Sequence, residues 1–525
     1  MVKYLNNVNS GFKQWRAATD AVPRKKSWLS SFLWWFAIFV ACWWLIGIWM
    51  RPAKQEVATT ADNAPVVDLS KVPVSAVTSE KINFDIQGLR VSNIALNDFS
   101  ADANDNDACV ILMPTDKGAF IEAGFVSQNT IVPAADAVWR STDGEMLWRN
   151  NAGVEFRRNV TTDGYVITIT DTVRNASNAP VAVAPYARLV RPADKASSAG
   201  VYTGAIAFAN SDIEHEDWRD LDKKSYAYTT TNGFVGFADQ YWETVASIDS
   251  PDQTMRARKS ADNYEADTAA AAVSVAPGAS STITTRIFAG PRDQSVLNAA
   301  AALIAGINKT VDYGWFWFLA RPMLMLLNAI HSVVMNYGVA IIIMTILLRL
   351  LMWPLTRKSY TSMIAMQKMQ PEMSRIQKLY ANDKARLQME MMRLYQTHKT
   401  SPMSGCLPML LQIPIFFALY KALLISVPMR GAHFLWIKDL AARDPYFILP
   451  VLMGATMWLQ SYLQTANTAA TGNDAVAQSM RFMKWMPVLF TILFAWMPAG
   501  LVLYWTVSNL FGIGQMCILK KRAAK

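Results

Sequence analysis

The stretch that decides the fold runs from Ile341 to Pro354 and reads IIIMTILLRLLMWP. It is apolar enough to lie in lipid, yet it contains one arginine, Arg349. An arginine near the middle of a spanning helix costs about 2.5 to 3.5 kcal/mol on insertion scales. Such a residue is normally kept only where water, a partner or a function meets it. The stretch therefore predicts a membrane span that contains a functional site.

The composition of the whole chain agrees with a membrane protein. Of its 525 residues, 52% are hydrophobic and only 17% are charged, which is too apolar for an ordinary soluble protein. Residues 51–310 contain 23 Lys and Arg against 32 Asp and Glu, whereas the remainder contains 27 against 8. Positive charge collects in short cytoplasmic loops, while a long translocated domain escapes this rule. The charge distribution therefore predicts two compartments, with the acidic region exported.

Residues 80–293 predict an exported β-sandwich. Apolar and polar side chains alternate there in short runs, as in Gly164–Thr170, separated by Asn, Asp and Gly turns. Cys109 is the only cysteine of this region, so it predicts no internal disulfide. The aromatic run Gly233–Trp242 has two interpretations, and packing in the core is favoured over lining a binding cleft.

Apolar runs elsewhere predict six membrane spans, at 28–50, 337–356, 407–426, 446–464, 480–497 and 498–518. The first follows Arg24-Lys25-Lys26 and is predicted to be an uncleaved signal anchor with the N-terminus inside. Lipid attachment at Cys42 is a less favoured alternative, because the apolar run continues beyond it to Met50. The other segments are predicted as a cytoplasmic N-terminus (1–27), a linker (51–79), a helical connection with an interfacial amphipathic helix (294–336), a cytoplasmic helical hairpin (357–406), an outer loop (427–445), a cytoplasmic loop (465–479) and a basic cytoplasmic tail (519–525).

The depth of Arg349 leaves two interpretations open. On a straight helix it lies about 12 Å from Arg357 at the cytoplasmic end and about 18 Å from Tyr337 at the outer end. Its side chain either snorkels to the inner interface or, as we favour, meets a hydrated cavity. Thr345 precedes it by one turn and is predicted to share its face. The other predicted spans contain no acidic residue, so we expect an unpaired charge that suits passing anionic or polar peptide groups.

The predicted hairpin is basic and rich in methionine. Residues 357–400 predict two helices around Ala381–Lys384, the first interrupted at Pro371, and their net charge is +6. This charge favours anionic lipid headgroups or ribosomal RNA. Residues 357–403 contain eight methionines, and methionine surfaces adapt to varied apolar partners. For about half of them we expect the alternative, a buried seam of the hairpin. The candidates for client capture are Met366, Met369, Met373, Met389 and Met392.

No metal or cofactor is expected. The four histidines are far apart, and none forms a pair at metal-ligand spacing with cysteine or another histidine. The sequence also contains no GxxxxGK[ST] motif for nucleotide phosphates, which argues against ATP hydrolysis by this chain.

A set of motifs between Asp312 and about Gln515 resembles, in content and order, the YidC/Oxa family of membrane-protein insertases. These motifs are Asp312-Tyr313-Gly314-Trp315, Met352-Trp353-Pro354-Leu355-Thr356, Tyr360-Thr361-Ser362-Met363, Gly405-Cys406-Leu407-Pro408, Gln412-Ile413-Pro414-Ile415-Phe416, Asp444-Pro445-Tyr446 and Pro498-Ala499-Gly500-Leu501-Val502-Leu503-Tyr504-Trp505. Together they are specific, although none would be so alone. The exported domain resembles the Gram-negative form of the family, with its periplasmic β-supersandwich.

The resemblance implies a five-helix core around a hydrophilic groove that opens to the cytoplasm and to lipid but is closed outward. It implies an insertase and chaperone of the bacterial inner membrane, not an enzyme, with both termini cytoplasmic. The implied partners are nascent membrane proteins, the Sec translocon, ribosome or signal recognition pathway components, and anionic lipids. The implied groove residues are Arg349, Thr345, Tyr504, Trp505, Gln412 and Phe416. At the position of Trp505 the family more often has a second tyrosine.

Two rival functions are weaker. A transporter or channel with Arg349 as counter-ion would predict paired broken helices in two related halves, which the sequence does not contain. An intramembrane protease needs a nucleophile and a base at depth. Ser508 is mid-span, but no histidine or lysine is predicted at its depth. The insertase therefore remains the favoured function.

Overall fold

The computed structural model describes residues 56–57, 68–102, 105–142, 145–193, 202–380, 383–398, 407–465 and 485–524. Most of the described chain forms one compact unit, drawn from 55–360, 403–453 and 492–525, and a second unit is drawn from 361–402 and 454–491. The predicted signal anchor at 28–50 lies outside the described residues.

Two antiparallel sheets form the part of the chain that is predicted to be exported, here called the β domain. The strands are β1 Glu56–Val57, β2 Val74–Thr78, β3 Ile82–Gln87, β4 Arg90–Asp102, β5 Asp105–Leu112, β6 Phe120–Val126, β7 Arg140–Thr142, β8 Glu145–Arg149, β9 Val154–Asp163, β10 Val166–Asn175, β11 Val181–Pro192, β12 Gly204–Ala209, β13 Asp212–Asp217, β14 Ser225–Thr230, β15 Phe234–Ala238, β16 Trp242–Ile248, β17 Gln253–Ser260, β18 Asn263–Ala270, β19 Val273–Val275 and β20 Ser280–Pro291. One sheet has the order β1-β14-β17-β18-β11-β6-β4-β3-β2, with β5 on β4 and β19 on β11. The other has the order β13-β12-β15-β16-β20-β10-β9-β8-β7.

The two sheets bury apolar side chains between them, because alternate side chains along each strand point to the same face. Strand β11, for example, alternates buried and half-buried residues over most of its length. Ile121 of the first sheet and Ile167 of the second are fully buried in the same cluster. The β-rich domain predicted from the alternating pattern is therefore confirmed. The run Gly233–Trp242 also follows the favoured interpretation, since Phe234 and Phe237 are buried in this core.

A buried ion pair lies inside the β domain, and its arginine also contacts the opposite sheet. Arg158 of β9 is 1% exposed, and its Nε and Nη2 each donate a hydrogen bond of 2.8 Å to Asp171 of β10. Its Nη2 also donates to the carbonyl oxygen of Ala123, on β6 of the opposite sheet, at 2.8 Å. The charged groups of Arg158 and Asp171 thus both have hydrogen-bond partners, as burial of an ion pair requires.

The β domain begins earlier than predicted. Strands β1 and β2 lie inside segment 51–79, which the sequence predicts as a linker. Glu56 and Val57 pair with β14, and Val74–Thr78 pairs with β3. A short strand at the edge of a sheet is stabilised by hydrogen bonds to the neighbouring strand. Its sequence therefore needs little alternation of apolar and polar residues.

The helices of the described chain are α1 Trp218–Leu221, α2 Gln294–Ala300, α3 Trp317–Val334, α4 Tyr337–Leu351, α5 Trp353–Leu379, α6 Lys384–Thr397, α7 Leu407–Ile425, α8 Ile448–Thr465, α9 Trp485–Phe494 and α10 Ala499–Ala524. Within the described ranges, α3 and the Ala499–Lys521 part of α10 are long and apolar enough to cross a membrane. Tyr337–Leu351 and Trp353–Ser362 would make a third span if counted together. Three shorter helices are also apolar, at Gln412–Ile425, Ile448–Leu463 and Trp485–Phe494.

The predicted second span, 337–356, is not one straight helix. Helix α4 ends at Leu351, and the following segment Trp353–Ser362 is bent from it by 63°. The cause is Pro354, which has no N–H to donate and whose ring clashes with the carbonyl group one turn earlier. Proline at the second position of α5 is tolerated, because first-turn N–H groups have no helical acceptor. Arg349 therefore lies in the last turn of α4, immediately before the bend.

The predicted interruption at Pro371 is wrong. Helix α5 continues through this residue to Leu379. A proline inside a helix removes one hydrogen bond, and the neighbouring turns of α5 keep theirs. The predicted hairpin otherwise contains two helices, α5 and α6, on either side of residues 381–382.

The β domain contacts the outer ends of the helices through polar groups. Arg430, which follows α7, donates to the carbonyl oxygens of Ser100 and Ala101 at 2.6 and 2.7 Å. Gln240 Nε2 donates to the Leu424 carbonyl oxygen at 3.1 Å. These bonds join the β domain to the end of α7 remote from Gln412.

Candidate functional site

The Arg349 guanidinium lies against α10, inside the group of helices. Its Nε donates a hydrogen bond of 2.7 Å to the Ser508 hydroxyl oxygen, and its Nη2 donates to the same oxygen. Ser508 is 2% exposed, whereas Arg349 is half-buried. The described part of the chain gives Arg349 no ion pair. A hydroxyl group carries no charge, so this contact orients the guanidinium without neutralising it.

Polar groups continue from Ser508 to a third helix. One turn earlier on α10, Tyr504 lies on the same helical face as Ser508. Tyr504 also accepts a hydrogen bond of 2.6 Å from Gln412 Nε2 on α7. We call Arg349, Ser508, Tyr504 and Gln412 the polar chain. It links α4, α10 and α7 and provides the hydrogen bonds that polar side chains need between apolar helices.

Thr345 is placed differently from the sequence-based expectation. Its side chain is fully buried, and its hydroxyl donates to the Ile341 carbonyl oxygen at 2.6 Å. Serine and threonine in helices commonly satisfy their hydroxyl groups in this way. The Thr345 hydroxyl therefore does not join the polar chain, although its helical spacing from Arg349 is as predicted.

Aromatic rings from three helices pack beside the polar chain. Phe416 of α7 lies edge-on to Trp505 of α10, with ring centroids 5.2 Å apart. Phe494 of α9 contacts both rings, at 5.9 Å from Phe416 and 5.1 Å from Trp505. Trp505 thus makes ring contacts at the position where the family more often has a tyrosine.

Sequence reasoning did not assign Ser508 and Phe494 to the site. A signal for Ser508 was present, since it lies four residues after Tyr504 and hence on the same face of α10. The search for a partner of Arg349 considered acidic residues, whereas the observed partner is a neutral hydroxyl. Phe494 is one apolar residue among many in its span, so no sequence signal distinguished it.

The hairpin methionines fall into different environments. Met369 on α5 is 4% exposed, and Met373 is half-buried. Met389 and Met392 on α6 are 65% and 53% exposed. The side chain of Met366 lies outside the described residues. The described methionines thus include both buried and exposed side chains, and a buried seam of the hairpin stays a prediction.

The outer end of α7 carries an ion pair with the segment that leaves the β domain. Lys421 Nζ lies 2.8 Å from an Asp312 carboxylate oxygen, and the Gly314 N–H donates to Asp312 at 2.7 Å. Burial alone would raise the pKa of Asp312, but the Lys421 charge and these hydrogen bonds outweigh it and lower that pKa below its usual value. In the described ranges, no group of three or more His, Cys, Asp or Glu residues is arranged to bind a metal.

Comparisons with known proteins match both parts of the chain. The family model described as 60Kd inner membrane protein matches residues 329–525, and the YidC periplasmic domain model matches residues 76–326. The protein named "Membrane protein insertase YidC" of Magnetococcus marinus is 37% identical over 425 residues, which cover 76% of this chain and 75% of the relative. The protein of the same name from Mesorhizobium japonicum is 33% identical over 490 residues, covering 84% and 79%.

A solved structure is similar as well. It is described as "Active YidC insertase crystal structure with the first transmembrane domain resolved". The alignment covers 85% of this chain and 95% of that one, with a TM-score of 0.37 and 19% sequence identity.

Proposed function

The chain belongs to the YidC family of membrane protein insertases, and we propose that it moves the polar flank of a nascent membrane protein past the polar chain. The family consists of inner-membrane insertases with a periplasmic domain, not of catalytic enzymes. The β domain is accordingly periplasmic. The route that the client takes, and the residues that it meets, are the subject of the proposal.

The energetics of insertion explain why such a route is needed. A nascent apolar helix gains roughly 0.3 to 0.6 kcal/mol for each central Leu, Ile, Phe or Val, so its final state is downhill. The obstacle is the polar flank, which must cross hydrocarbon where its groups have no partners. A hydrophilic groove that reaches partway, open to the cytoplasm, shortens this crossing. The observation that carries the proposal is the Arg349 guanidinium, bound among the helices by the neutral hydroxyl of Ser508.

The same contact argues against an intramembrane protease. A serine nucleophile needs a neighbouring base that takes its proton. The neighbour of Ser508 is the guanidinium of Arg349, which stays protonated in proteins and cannot act as a base.

We propose six spans with both termini cytoplasmic, and a core of five helices, α4, α7, α8, α9 and α10. In this topology α3 lies at the outer interface, although its length and composition would permit a span. If α3 crossed the membrane, the hairpin after α4 would lie outside. Its net charge of +6 over 357–400 favours the cytoplasmic side. The aromatic side chains at the start of α3, with Trp317 60% exposed, suit the headgroup region.

Partners beyond the client are proposed from charge and from family membership. The basic hairpin would attract anionic lipid headgroups, or the RNA of a ribosome that delivers the client. Work with the Sec translocon or the signal recognition pathway, and a chaperone role for clients folding in the membrane, are proposed from membership of the insertase family.

Photocrosslinking tests the proposed route. With a photoreactive residue at Trp505, we expect a ribosome-stalled nascent membrane protein to crosslink to the chain. Leu510 on the same helix is 50% exposed and lies on another face, so it is the matched control. Equal labelling at both positions, or none at Trp505, would refute passage along the polar chain.

Ser508 is proposed as a positioning residue for Arg349. Ser508→Ala should lower insertion of a client with an acidic flank about threefold, which corresponds to about 0.7 kcal/mol. Insertion of a neutral-flank client should stay within about twofold. Ser508→Thr, which keeps the hydroxyl, should restore insertion. Thr506→Val is the matched control, because this buried hydroxyl donates only to the Val502 carbonyl of its own helix. An equal loss for both clients would indicate a structural role instead.

The exposed face of α6 is proposed to capture clients. Met389 and Met392 are three residues apart and therefore neighbours on one face of the helix. They present flexible apolar side chains between basic residues, a surface that adapts to varied apolar segments.

Replacing Met389 and Met392 together by glutamine should lower nascent-chain capture about three- to fivefold with little change in thermal stability, since both side chains are exposed. Capture would be measured by co-purification of stalled nascent chains. The control is replacement of the exposed Gln388 and Gln396 by asparagine. Undiminished capture by the methionine variant would assign these residues no role in recognition.

A further inference from the structure

Gln515 of α10 has a buried side-chain amide and is not among the residues of the polar chain. Its side chain is 2% exposed. Among the described residues, neither its Nε2 nor its Oε1 has a hydrogen-bond partner. A buried amide without partners destabilises the folded state, and such groups are uncommon in proteins. This energetic cost is explained if the amide binds a partner that is absent from the client-free chain.

The position of Gln515 relates it to the polar chain. It follows Ser508 by seven residues, or nearly two helical turns, so the two side chains share one face of α10. Along the helix axis it lies about 10 Å from Ser508. It is displaced toward the end of α10 that carries Lys520 and Lys521, which the proposed topology places in the cytoplasm. A client entering from that side would meet Gln515 before Arg349.

We propose that Gln515 is a client-binding residue whose amide pairs with a backbone peptide group of the entering polar flank. This inference rests on the proposed function, since it places a second contact on the same route. A primary amide both donates and accepts hydrogen bonds, as a peptide group does, so the contact does not depend on the client's side chains. Without a client the amide is enclosed and its hydrogen-bonding capacity is unused; a client that parts the helices supplies the partner.

The spacing to Arg349 predicts how the two contacts share one client. An extended chain advances about 3.4 Å per residue, so about three residues span the 10 Å between the levels of Gln515 and Ser508. A peptide group held at Gln515 would place the side chain about three residues ahead near the guanidinium. Gln515 therefore binds the backbone of any flank, whereas Arg349 distinguishes flanks by charge.

Substitution by an apolar residue separates this role from a structural one. In the full-length protein, Gln515→Leu should raise the thermal unfolding midpoint, because it removes an unpartnered buried amide. The same variant should lower insertion about threefold, equally for clients with acidic and neutral flanks. Gln515→Met provides a second apolar variant of similar length. The matched control is Met516→Leu, a volume-conserving change at the adjacent buried residue, which should alter neither quantity.

Three results would overturn the inference. Lower stability together with lower insertion in both Gln515 variants would mean that the amide has a structural partner. Unchanged insertion would mean that it has no client contact, and a loss confined to acidic flanks would mean that it acts through Arg349. Arg349→Ala, assayed in parallel, tests the proposed function separately, because a charge-dependent defect there with normal Gln515 variants would refute only this inference.

Discussion

We expect Arg349→Ala to lower insertion of a client with an acidic translocated flank about tenfold, or about 1.4 kcal/mol, and that of a matched neutral-flank client far less. The physical reason is the uncompensated charge. Arg349 is held by the neutral Ser508 hydroxyl, so its positive charge remains available to a carboxylate, and charges interact more strongly among apolar helices than in water. A neutral flank has no charge that Arg349 could attract. Its insertion depends on polar surroundings in general, which Ser508, Tyr504 and Gln412 still provide.

Arg349→Lys is the matched variant for this prediction. Lysine keeps the positive charge but lacks the planar fork through which the guanidinium donates two hydrogen bonds to one acceptor group. We therefore expect insertion within about threefold of the unmodified protein. The measurement compares insertion of paired clients that differ only in flank charge. An Arg349→Ala defect of equal size for both clients would show that the arginine supports groove structure or hydration instead.

Arg158→Ala should destabilise the β domain by about 3 to 5 kcal/mol, because it leaves the carboxylate of Asp171 buried without its partner. Arg158 also joins the sheets through the Ala123 carbonyl group, so its loss removes a contact across the core. Thermal unfolding and limited proteolysis of the full-length protein would measure the effect. Insertion should fall much less, since the β domain contacts the outer ends of the helices and not the polar chain.

Two further variants separate burial from charge in this prediction. Arg149→Ala removes a similar cation that is 61% exposed. Its partner Glu155 is buried but keeps a second arginine, Arg157, whose Nε lies 2.7 Å away, so the change should cost at most about 1 kcal/mol. Replacing both members of the buried pair, Arg158→Met with Asp171→Leu, should regain much of the lost stability, because no unpaired charge remains. If Arg158→Ala were no worse than Arg149→Ala, the buried pair would contribute little to the β domain.

Most residues of the candidate site were proposed from the sequence, whereas Ser508 and Phe494 were not. Arg349 was recognised by its cost in an apolar run, and Tyr504, Trp505, Gln412 and Phe416 by family resemblance. The break in the second span had a visible cause in Pro354, yet Pro371 has the same local chemistry and does not end its helix. A proline weakens a helix by a similar amount wherever it occurs, and the surrounding contacts decide whether the helix continues.

The sequence by itself determined the membrane location and the exported β domain, and it singled out Arg349 as a candidate. Each of these depends on local composition, periodicity or a single charge, which a linear pattern records. Only the tertiary structure decided that Arg349 donates to Ser508, that the Thr345 hydroxyl turns back to Ile341, and that Gln515 is enclosed without a partner among the residues that the structure describes. These facts depend on which residues of distant helices meet. Ser508 lies 159 positions from Arg349, and side-chain packing between helices, unlike periodicity along one helix, leaves no signature in a single sequence.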